Sequence, residues 1–399
     1  MELSEICELI IDCEHKTAPL QESGYPSIRT PNIGRGYFIL DGVNRVSEET
    51  YQLWTKRAVP QAGDLIMARE APVGNVAMIP EGLRPCLGQR TLLIRPDRSQ
   101  VEPAYLNYLL NGPQIQSLIH GQTNGATVAH LNMKDVRSLQ LPDLPPRKLQ
   151  CRIAEALSAY DELIENNQRR IRILEEMARS LYREWFVHLR FPGHENHPRV
   201  PSSLGEIPQG WEVKTIGDVA EEMRRGVPKG RLDVSQPFVG LEHIPRRSLA
   251  LDAWEIANEL GSNKLEFKKG EVLFGKIRPY FHKVSVAPFD GLCSADTIVI
   301  RARKPEHYAI VVACTSSDAF VAEASATANG AKMPRANWEV LKKFAVVIPN
   351  GAVADRFSQL FGNIVDQQQL LVFQIRNLRR TRDLLLPRLL SGQIELEVD

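Results

Sequence analysis

Residues 153–185 of the chain read IAEALSAYDELIENNQRRIRILEEMARSLYREW. Residues suited to a buried seam recur in this stretch at steps that alternate between four and three. Such spacing is the a/d pattern of a heptad repeat, which is typical of a long helix that packs along another helix. The ladder consists of Ile153, Leu157, Tyr160, Ile164, Asn167, Ile171, Leu174, Ala178, Leu181 and Trp185.

A second ladder with the same spacing lies 204 residues later. Because neither helix can bury its stripe alone, we expect the two stripes to face each other as an intramolecular coiled coil. The polar positions Asn167, Gln368 and Arg382 then help to fix the register. The alternative is that each stripe packs on its own globular domain. The second ladder consists of Phe357, Phe361, Ile364, Gln368, Leu371, Ile375, Leu378, Arg382, Leu385 and Leu389.

The sequence outside the ladders also repeats, with a shift that drifts from 207 to 205 residues. Three matches in the same order at nearly one offset indicate a duplicated domain with small changes in its loops. Asn132 and Val136 then correspond to Asn337 and Leu341. The matched pairs are Gly63-Asp64-Leu65-Ile66 with Gly270-Glu271-Val272-Leu273, Thr91-Leu92-Leu93-Ile94-Arg95 with Thr297-Ile298-Val299-Ile300-Arg301, and Asn124-Gly125-Ala126 with Asn329-Gly330-Ala331.

Prolines and glycines frame the ladders and divide the chain. Each copy of the repeat combines short β-branched runs with helical stretches such as 104–118, so the predicted fold class is α+β. We predict two repeated globular domains separated by two long helices. The predicted segments are a first domain at 1–145, a central long helix at 146–190, a linker at 191–210, a second domain at 211–350 and a C-terminal long helix at 351–399.

Composition narrows the function classes. The 399 residues are 43% hydrophobic and 24% charged, which is ordinary for a folded protein, and the formal net charge is +1. A protein that holds nucleic acid by overall positive charge is therefore excluded, although local basic faces are not. No apolar run approaches the roughly 18 residues of a membrane span. Six cysteines without a Cys-x-x-Cys pair favour reduced thiols and a cytoplasmic location.

Motifs for catalysis are missing from the sequence. It has no Gly-rich Walker loop, no dinucleotide-binding glycine motif, no amino-methyltransferase motif and no nucleophile elbow. The tripeptide Glu266-Phe267-Lys268 resembles half of a nuclease site but lacks an upstream Pro-Asp pair. His188, His194 and His197 have no further ligands at metal-binding spacing. We therefore predict no catalytic residue, no bound metal and no cofactor in this chain.

Basic and polar residues follow the same strand and the same turn in both copies. A strand-like run ends at Arg69 in the first copy and at Lys276 in the second, 207 residues later. Glycine near basic side chains allows close approach to phosphates, and arginine can bind guanine edges with two hydrogen bonds. The alternative is ordinary surface charge at loop ends. The predicted DNA-binding residues are Arg69, Thr127, His130, Lys276, Arg278, Lys332 and Arg335.

The helical segments carry a family resemblance. The segment Ile164-Glu165-Asn166-Asn167-Gln168-Arg169-Arg170-Ile171, continued by Leu174-Glu175-Glu176-Met177-Ala178 and Trp185-Phe186, resembles the central conserved region of specificity (S) subunits of type I restriction–modification systems. The segments Ser203-Leu204-Gly205-Glu206-Ile207-Pro208, Gly210-Trp211 and Ser294-Ala295-Asp296-Thr297-Ile298 resemble the same family, and so does the opening at residues 10–17.

The resemblance implies a specific role. Each globular domain would be a target recognition domain that reads one half of a bipartite site in double-stranded DNA through the major groove, and the two helices would lie antiparallel. Two modification subunits would methylate adenine with S-adenosylmethionine, and restriction subunits would use ATP and Mg to cleave. The subunit itself would have no catalytic centre.

Two other functions stay open at this point. One is a DNA-recognition subunit of a methylation-only system, and the other is a coiled-coil adaptor without a DNA role. A self-sufficient restriction–methylation enzyme is disfavoured, because the catalytic motifs are missing.

Overall fold

A computed structural model describes residues 1–122, 130–229, 235–257, 261–394 and 396. The chain divides into two compact units. Unit 1 comprises Met1–Glu162 and Arg379–Asp399, and unit 2 comprises Leu163–Leu378. Both units mix helices and strands, so the α+β prediction is confirmed. Thr127 lies outside the described residues.

Unit 1 is built on an antiparallel four-stranded sheet in the order β1-β7-β4-β5. A smaller sheet has the order β3-β2-β6, in which β2 and β6 are parallel. The strands are β1 (Cys7–Asp12), β2 (Tyr25–Ile28), β3 (Arg45–Val46), β4 (Leu65–Ala68), β5 (Val76–Met78), β6 (Cys86–Leu87) and β7 (Thr91–Pro96). The helices are α1 (Glu48–Trp54), α2 (Pro103–Asn111), α3 (Pro113–Gly121), α4 (Met133–Arg137) and the first part of α5 (Arg147–Tyr182).

Strand β4 is apolar throughout because both faces of the sheet are covered. Its four residues are fully buried. Leu65 and Met67 pack in a cluster that contains helix residues such as Leu106, whereas Ile66 and Ala68 pack on the opposite side. Alternating side chains thus serve two cores, as the period of two in a strand requires.

Unit 2 repeats this architecture with the order β11-β19-β16-β17 in its antiparallel sheet. Its strands are β8 (Arg199–Ser202), β9 (Gly205–Pro208), β10 (Glu212–Thr215), β11 (Ala220–Glu222), β12 (Gly226–Val227), β13 (Pro237–Val239), β14 (Glu255–Ile256), β15 (Lys264–Phe267), β16 (Val272–Gly275), β17 (Val284–Val286), β18 (Gly291–Ser294), β19 (Thr297–Ala302) and β20 (Ala345–Ile348). Its helices are α6 (Ile216–Val219), α7 (Tyr308–Thr315), α8 (Asp318–Ala326), α9 (Trp338–Leu341) and α10 (Gly351–Leu390), which ends in unit 1.

The duplication extends to the second sheets. In unit 2 this sheet has the order β12-β15-β18-β13-β14, and its parallel pair β13–β18 matches the pair β2–β6 of unit 1. Cys86 and Cys293, which are 207 residues apart, occupy equivalent places in these pairs. Asn132 and Asn337 both precede the corresponding short helices α4 and α9. The sequence repeat is therefore a repeat of the fold.

The two ladders lie on α5 and α10, as predicted. Within unit 2, Ile164 and Ile171 pack in one cluster with Leu371 and Ile375. The Asn167 side-chain amide donates to Oε1 of Gln374 at 3.4 Å. Further along α5, the Trp185 ring, in the π-helical turn Arg183–Val187, lies 5.7 Å from the ring of Phe357 near the start of α10. Later positions on one helix thus meet earlier positions on the other, which makes the pair antiparallel.

The polar seam positions have three different environments. Asn167 is hydrogen-bonded across the pair, and Arg382 forms an ion pair with Asp161 within unit 1. Gln368 is 1% exposed, and neither atom of its amide has a hydrogen-bond partner among the described residues. A buried amide of this kind costs stability, which agrees with a role in fixing register rather than in strengthening the seam.

The segment predicted as a linker at 191–210 is folded. Strands β8 and β9 form an antiparallel hairpin. Phe191 and Ile207 are buried in the main cluster of unit 2 together with Trp211. The hairpin buries only a few of its own side chains. Its sequence is therefore rich in Pro and Gly and poor in apolar residues, which is also typical of a linker.

No single helix among the described residues is long and apolar enough to cross a membrane. One bent pair, Pro305–Thr315 with Asp318–Ala326, passes by length and composition only when its two parts are taken together.

Candidate nucleic-acid interface

Equivalent loops follow β4 and β16 in the two units. We call residues 69–75 and 276–283 the hairpin loops, and residues 130–131 and 329–336 the facing loops. The Arg69 amide donates to the Arg90 carbonyl, and the Lys276 amide donates to the Asp296 carbonyl. The carbonyls of Arg69 and Lys276 accept from the amides of Leu131 and Ala336. These matching hydrogen bonds show that Arg69 and Lys276 occupy the same place in the fold, as the repeat predicted.

In unit 1 the predicted residue Arg69 is interior. Its side chain is 7% exposed, and Nη1 lies 2.5 Å from Oδ2 of Asp12. Nε donates to the Leu131 carbonyl at 2.9 Å. Nη2 lies 2.9 Å from Nε2 of His130. Arg69 thus donates hydrogen bonds to residues of its own domain and holds them in place. Direct contact between its guanidinium and DNA stays a prediction, and this geometry does not favour it.

His130 links the buried Arg69 to Glu70 and, through it, to the exposed Arg90. Because a guanidinium only donates, Nε2 of His130 accepts from Arg69, and Nδ1 donates to Oε1 of Glu70 at 2.9 Å. Glu70 also forms an ion pair with Arg90, whose side chain is 61% exposed. The accessible groups at the unit 1 loops are therefore Arg90 and His130, and sequence reasoning missed Arg90. Its position directly before the repeated Thr91 run was the available signal.

In unit 2 the two loops are hydrogen-bonded to each other. The Arg278 amide donates to the Pro334 carbonyl at 2.8 Å, and the Ala336 amide donates to the Lys276 carbonyl at 2.9 Å. The facing loop closes on itself through reciprocal bonds between Asn329 and Arg335. Gly330 within it has a φ of +110°, a conformation that favours glycine. All four predicted residues of unit 2 are thus carried on one braced pair of loops.

The cations of this loop pair are largely unpaired. Arg335 lies 3.4 Å from Asp296, and both side chains are partly exposed. Among the residues that the structure describes, Lys276, Arg278 and Lys332 form no ion pair with a carboxylate. Their charge is therefore available to a ligand.

The structure adds Arg246 and Phe281 to the unit 2 site. The Arg246 guanidinium lies 4.2 Å from the centre of the Phe281 ring, and that of Arg278 lies 6.0 Å from it. Residue 246 pairs with Lys283 in an isolated bridge at the base of the hairpin loop. Sequence reasoning could not place Arg246, because it lies where no repeated motif fixes the alignment of the two copies.

Two further groups of the hairpin loop have shifted pKa values. Burial, reinforced by the neighbouring Arg246 guanidinium, lowers the pKa of Lys283. Burial also lowers the pKa of His282, which disfavours the charged form of this ring. The charge that unit 2 presents therefore comes chiefly from lysine and arginine side chains.

The two sites differ strongly in formal charge. The unit 2 loops carry Lys276, Arg278, Lys283, Lys332 and Arg335, and the unit 1 loops carry Arg69 and Glu70. The loops therefore sum to +5 and 0. The equivalent turn residues Asp296 and Arg90 change these sums to +4 and +1.

One trio in unit 1 has the composition of a metal site. Asp12, Cys13 and His15 hold ligand atoms within 4.8 Å of one another. The Asp12 carboxylate already binds the Arg69 guanidinium, whose positive charge opposes a cation at the same oxygen atoms. The trio therefore supports no metal site.

Comparison with known proteins finds similarity to type I restriction specificity subunits. The sequence model described as "Type I restriction modification DNA specificity domain" matches residues 1–176. The type I restriction enzyme MjaIX specificity subunit of Methanocaldococcus jannaschii is 25% identical over 375 residues, which cover 90% of this chain and 84% of that protein. The chain is thus similar over most of its length to specificity subunits of type I restriction enzymes. The EcoDI specificity subunit of Escherichia coli is 26% identical over 302 residues, which cover 68% of this chain and 65% of that protein.

A solved structure shares the fold of this chain. The type I restriction–modification S subunit from M. genitalium aligns with a TM-score of 0.59 at 12% sequence identity, and the alignment covers 98% of this chain and 95% of that one. At this identity the comparison shows the shared fold alone.

Proposed function

We propose that the chain is the DNA-binding specificity subunit of a type I restriction–modification complex. Unit 1 and unit 2 each read one half of a bipartite site, and the complex methylates adenine or cleaves DNA through its partner subunits. The target is double-stranded DNA, because paired sites on one framework suit two separated half-sites of a duplex.

The observation that carries this proposal is a pair of equivalent loop sites with different side chains. The backbone hydrogen bonds at Arg69 and Lys276 are the same, while the groups that the loops expose differ. A shared framework with variable loops is the arrangement expected of a protein that reads two unlike sequences, because base edges are distinguished by the donors and acceptors that meet them.

The catalytic groups and cofactors belong to the proposed partners. Two modification subunits supply S-adenosylmethionine chemistry, and restriction subunits supply ATP- and Mg-dependent cleavage. This chain directs them to a site and contributes no reacting group. The antiparallel helix pair suits such a role, because it gives partner subunits long continuous helices to bind.

The test is a methylome comparison. Long-read sequencing maps methylated adenines in cells that carry the modification subunits with or without this chain. We expect one bipartite motif to be methylated only when the chain is present. Exchanging unit 1 loop residues changes one half of that motif, and exchanging unit 2 loop residues changes the other. A methylome that does not depend on the chain would contradict the proposal and favour a coiled-coil adaptor.

A second measurement separates recognition from catalysis. Purified chain with S-adenosylmethionine, ATP and magnesium should give no methylation or cleavage of plasmid DNA above background, whereas the assembled complex should be active. Turnover by the chain free of its partners would assign a catalytic role to it. The same assay distinguishes a methylation-only system from a restriction–modification system. In a methylation-only system the complex would methylate DNA but would not cleave an unmethylated plasmid.

A further inference from the structure

Resting on the proposed function, we infer that Arg278 determines specificity in the second half-site by binding the major-groove edge of a guanine, with Phe281 and Arg246 holding its side chain. Lys276 and Lys332 bind the flanking phosphates. The half-site read by unit 2 therefore contains a guanine at the position that Arg278 contacts.

The backbone at Arg278 is held in an uncommon conformation. Its φ is +49°, a left-handed conformation that non-glycine residues rarely adopt. The next residue is Pro279, and the Arg278 amide is bonded to the Pro334 carbonyl. Of the five non-glycine residues with positive φ among the described residues, Arg90, Arg247, Arg278 and His282 lie in or beside the candidate loops. Such strain concentrates where a protein must hold a side chain in one direction for a ligand.

The surroundings of Arg278 restrict its side chain. Its Nε is buried without a hydrogen-bond partner among the described residues, while the side chain as a whole is partly exposed and forms no ion pair there. The Phe281 ring centre lies 4.2 Å from the guanidinium of Arg246 and 6.0 Å from that of Arg278, the latter at the outer limit of a cation–π contact. A planar cation that stacks on a ring is held in a defined plane.

The arginine and the lysines of this loop pair suit different parts of DNA. Guanine presents two adjacent acceptors, N7 and O6, in the major groove, and the arginine fork matches them with two hydrogen bonds. A lysine ammonium is a point charge on a flexible stem and suits phosphates. Lys332 is exposed, and Lys276 is half-buried beside Asp296, so both remain accessible at the rim of the loop pair. The braced arginine is therefore the reader, and the lysines are the phosphate contacts.

Unit 1 lacks this arrangement. The residue 207 positions before Arg278 is Ala71, and the preceding residue in unit 1 is the acceptor Glu70. Glu70 is bonded to His130 and Arg90, so the first half-site meets mixed donors and acceptors. The guanine assignment applies to unit 2 alone.

The experiment uses the complete complex with its modification subunits. The wild-type methylome is mapped first, because it defines the motif and tests the proposed function by itself. The complex is then prepared with Arg278→Lys, which keeps the charge but removes the fork, and with Arg278→Ala. Arg199→Lys is the matched control, because Arg199 is an exposed arginine of unit 2 outside these loops. Circular dichroism of each variant checks folding.

Binding is measured with duplexes in which each base pair of the motif is replaced in turn. We expect Arg278→Lys to lose roughly ten- to a hundredfold discrimination at one position, and that position to be a G·C pair. Replacing that guanine by 7-deazaguanine, which lacks the N7 acceptor, should weaken wild-type binding and leave Arg278→Ala unaffected, because alanine has no donor for N7. Phe281→Ala should relax the same position, and Phe281→Tyr, which keeps the ring, should restore it. The Arg199→Lys complex should behave as wild type.

Three results would overturn the inference while leaving the proposed function intact. The first is relaxation at an A·T pair. The second is full discrimination by Arg278→Lys, with Arg278→Ala weakening all duplexes equally, which would make Arg278 a phosphate contact. The third is equal sensitivity of wild type and Arg278→Ala to 7-deazaguanine. A methylome independent of the chain would instead overturn the proposed function itself.

Discussion

The hairpin loops of unit 1 and unit 2 share the same backbone arrangement but differ in the positive charge that they present. In unit 1 the first loop residue, Arg69, is buried against Asp12 and linked through His130 to Glu70. In unit 2 the equivalent Lys276 forms no ion pair among the described residues and stands beside the braced Arg278. One framework thus holds a neutralised network at one site and a set of free cations at the other.

The difference shows how a duplicated domain acquires a second specificity. The turn residue before the repeated strand is Arg90 in unit 1 and Asp296 in unit 2, and each pairs with an opposite charge on a neighbouring loop. The partner is Glu70 of the hairpin loop in one unit and Arg335 of the facing loop in the other. A reversal of charge at one framework position therefore moves the exposed donors to a different loop.

The largest effect is expected from breaking the unit 1 network at Arg69. Arg69→Met leaves the Asp12 carboxylate without its guanidinium, and removal of one partner of a buried ion pair costs about 3–5 kcal/mol. Asp12 is 16% exposed and keeps His15 at 3.1 Å, so we expect about 3 kcal/mol. Hydrogen exchange in the full chain should show faster exchange of the β4 and β7 amides.

Lys276→Met is the matched variant at the equivalent position in unit 2. Lys276 is half-buried and has no carboxylate partner among the described residues, so the change in unfolding free energy should stay within about 0.5 kcal/mol. Exchange in β16 and β19 should be unchanged. Equal destabilisation by both variants would mean that the two sites do not differ as the ion pairs indicate.

The next effect concerns salt. Lys276→Gln combined with Lys332→Gln should make the binding of the complex to its duplex less salt-dependent, because each lost phosphate contact removes about 0.9 from the slope of log K against log salt concentration. We expect a decrease of about 2, measured by fluorescence anisotropy between 50 and 200 mM salt on the mapped motif. Sequence discrimination should be retained.

The control for this measurement replaces two exposed lysines away from the loops, Lys56 and Lys304, by glutamine. The slope of log K against log salt concentration for this double variant should equal that of wild type. If the loop variant also kept the wild-type slope, the free cations of unit 2 would lie outside the interface, and the contrast with unit 1 would have no bearing on DNA.

Much of the fold could be predicted from periodicity. The four-three spacing of residues such as Ile164 and Ile171 depends only on helix geometry, and the repeated strands β4 and β16 are both apolar throughout because both faces are buried in each unit. The equivalence of Arg69 and Lys276 also followed from the shift of 207 residues. These features depend on local sequence and on a repeat that the chain itself displays.

The state of the site residues could not be predicted in the same way. The burial of Arg69 depends on Asp12, which is 57 residues earlier and lies on another strand. The place of Arg246 depends on Phe281 across a loop pair. The hairpin β8–β9 has a linker-like composition and is held by Phe191 and Ile207. Each of these features depends on tertiary contacts between residues distant in the sequence, and such contacts produce no periodic pattern in it.

The smallest expected effect concerns the segment that carries Arg246 in unit 2. Glu175 of α5 is 7% exposed and accepts hydrogen bonds from the Leu249 amide, at 3.1 Å, and from the Ser248 hydroxyl. The position 204 residues later on α10 is Arg379, so unit 1 has no such acceptor there. Burial raises the pKa of the Glu175 carboxyl above its usual value of 4.5.

A raised pKa means that the folded protein holds this proton more tightly than the unfolded chain does. The resulting stability is fully present below pH 4.5 and is lost as the pH rises through the folded pKa. Glu175→Gln keeps an acceptor for Leu249 and cannot ionise. Its stability relative to wild type should therefore rise with pH above 4.5 and then level off, by on the order of 1 kcal/mol or less. Urea unfolding of both proteins from pH 4 to pH 8 measures the difference, and Glu176→Gln, at an exposed neighbour on the same helix, is the control. A difference that falls with rising pH would mean that the charged carboxylate stabilises the Ser248–Leu249 bend, and that ionised Glu175 helps to hold Arg246 at the unit 2 site.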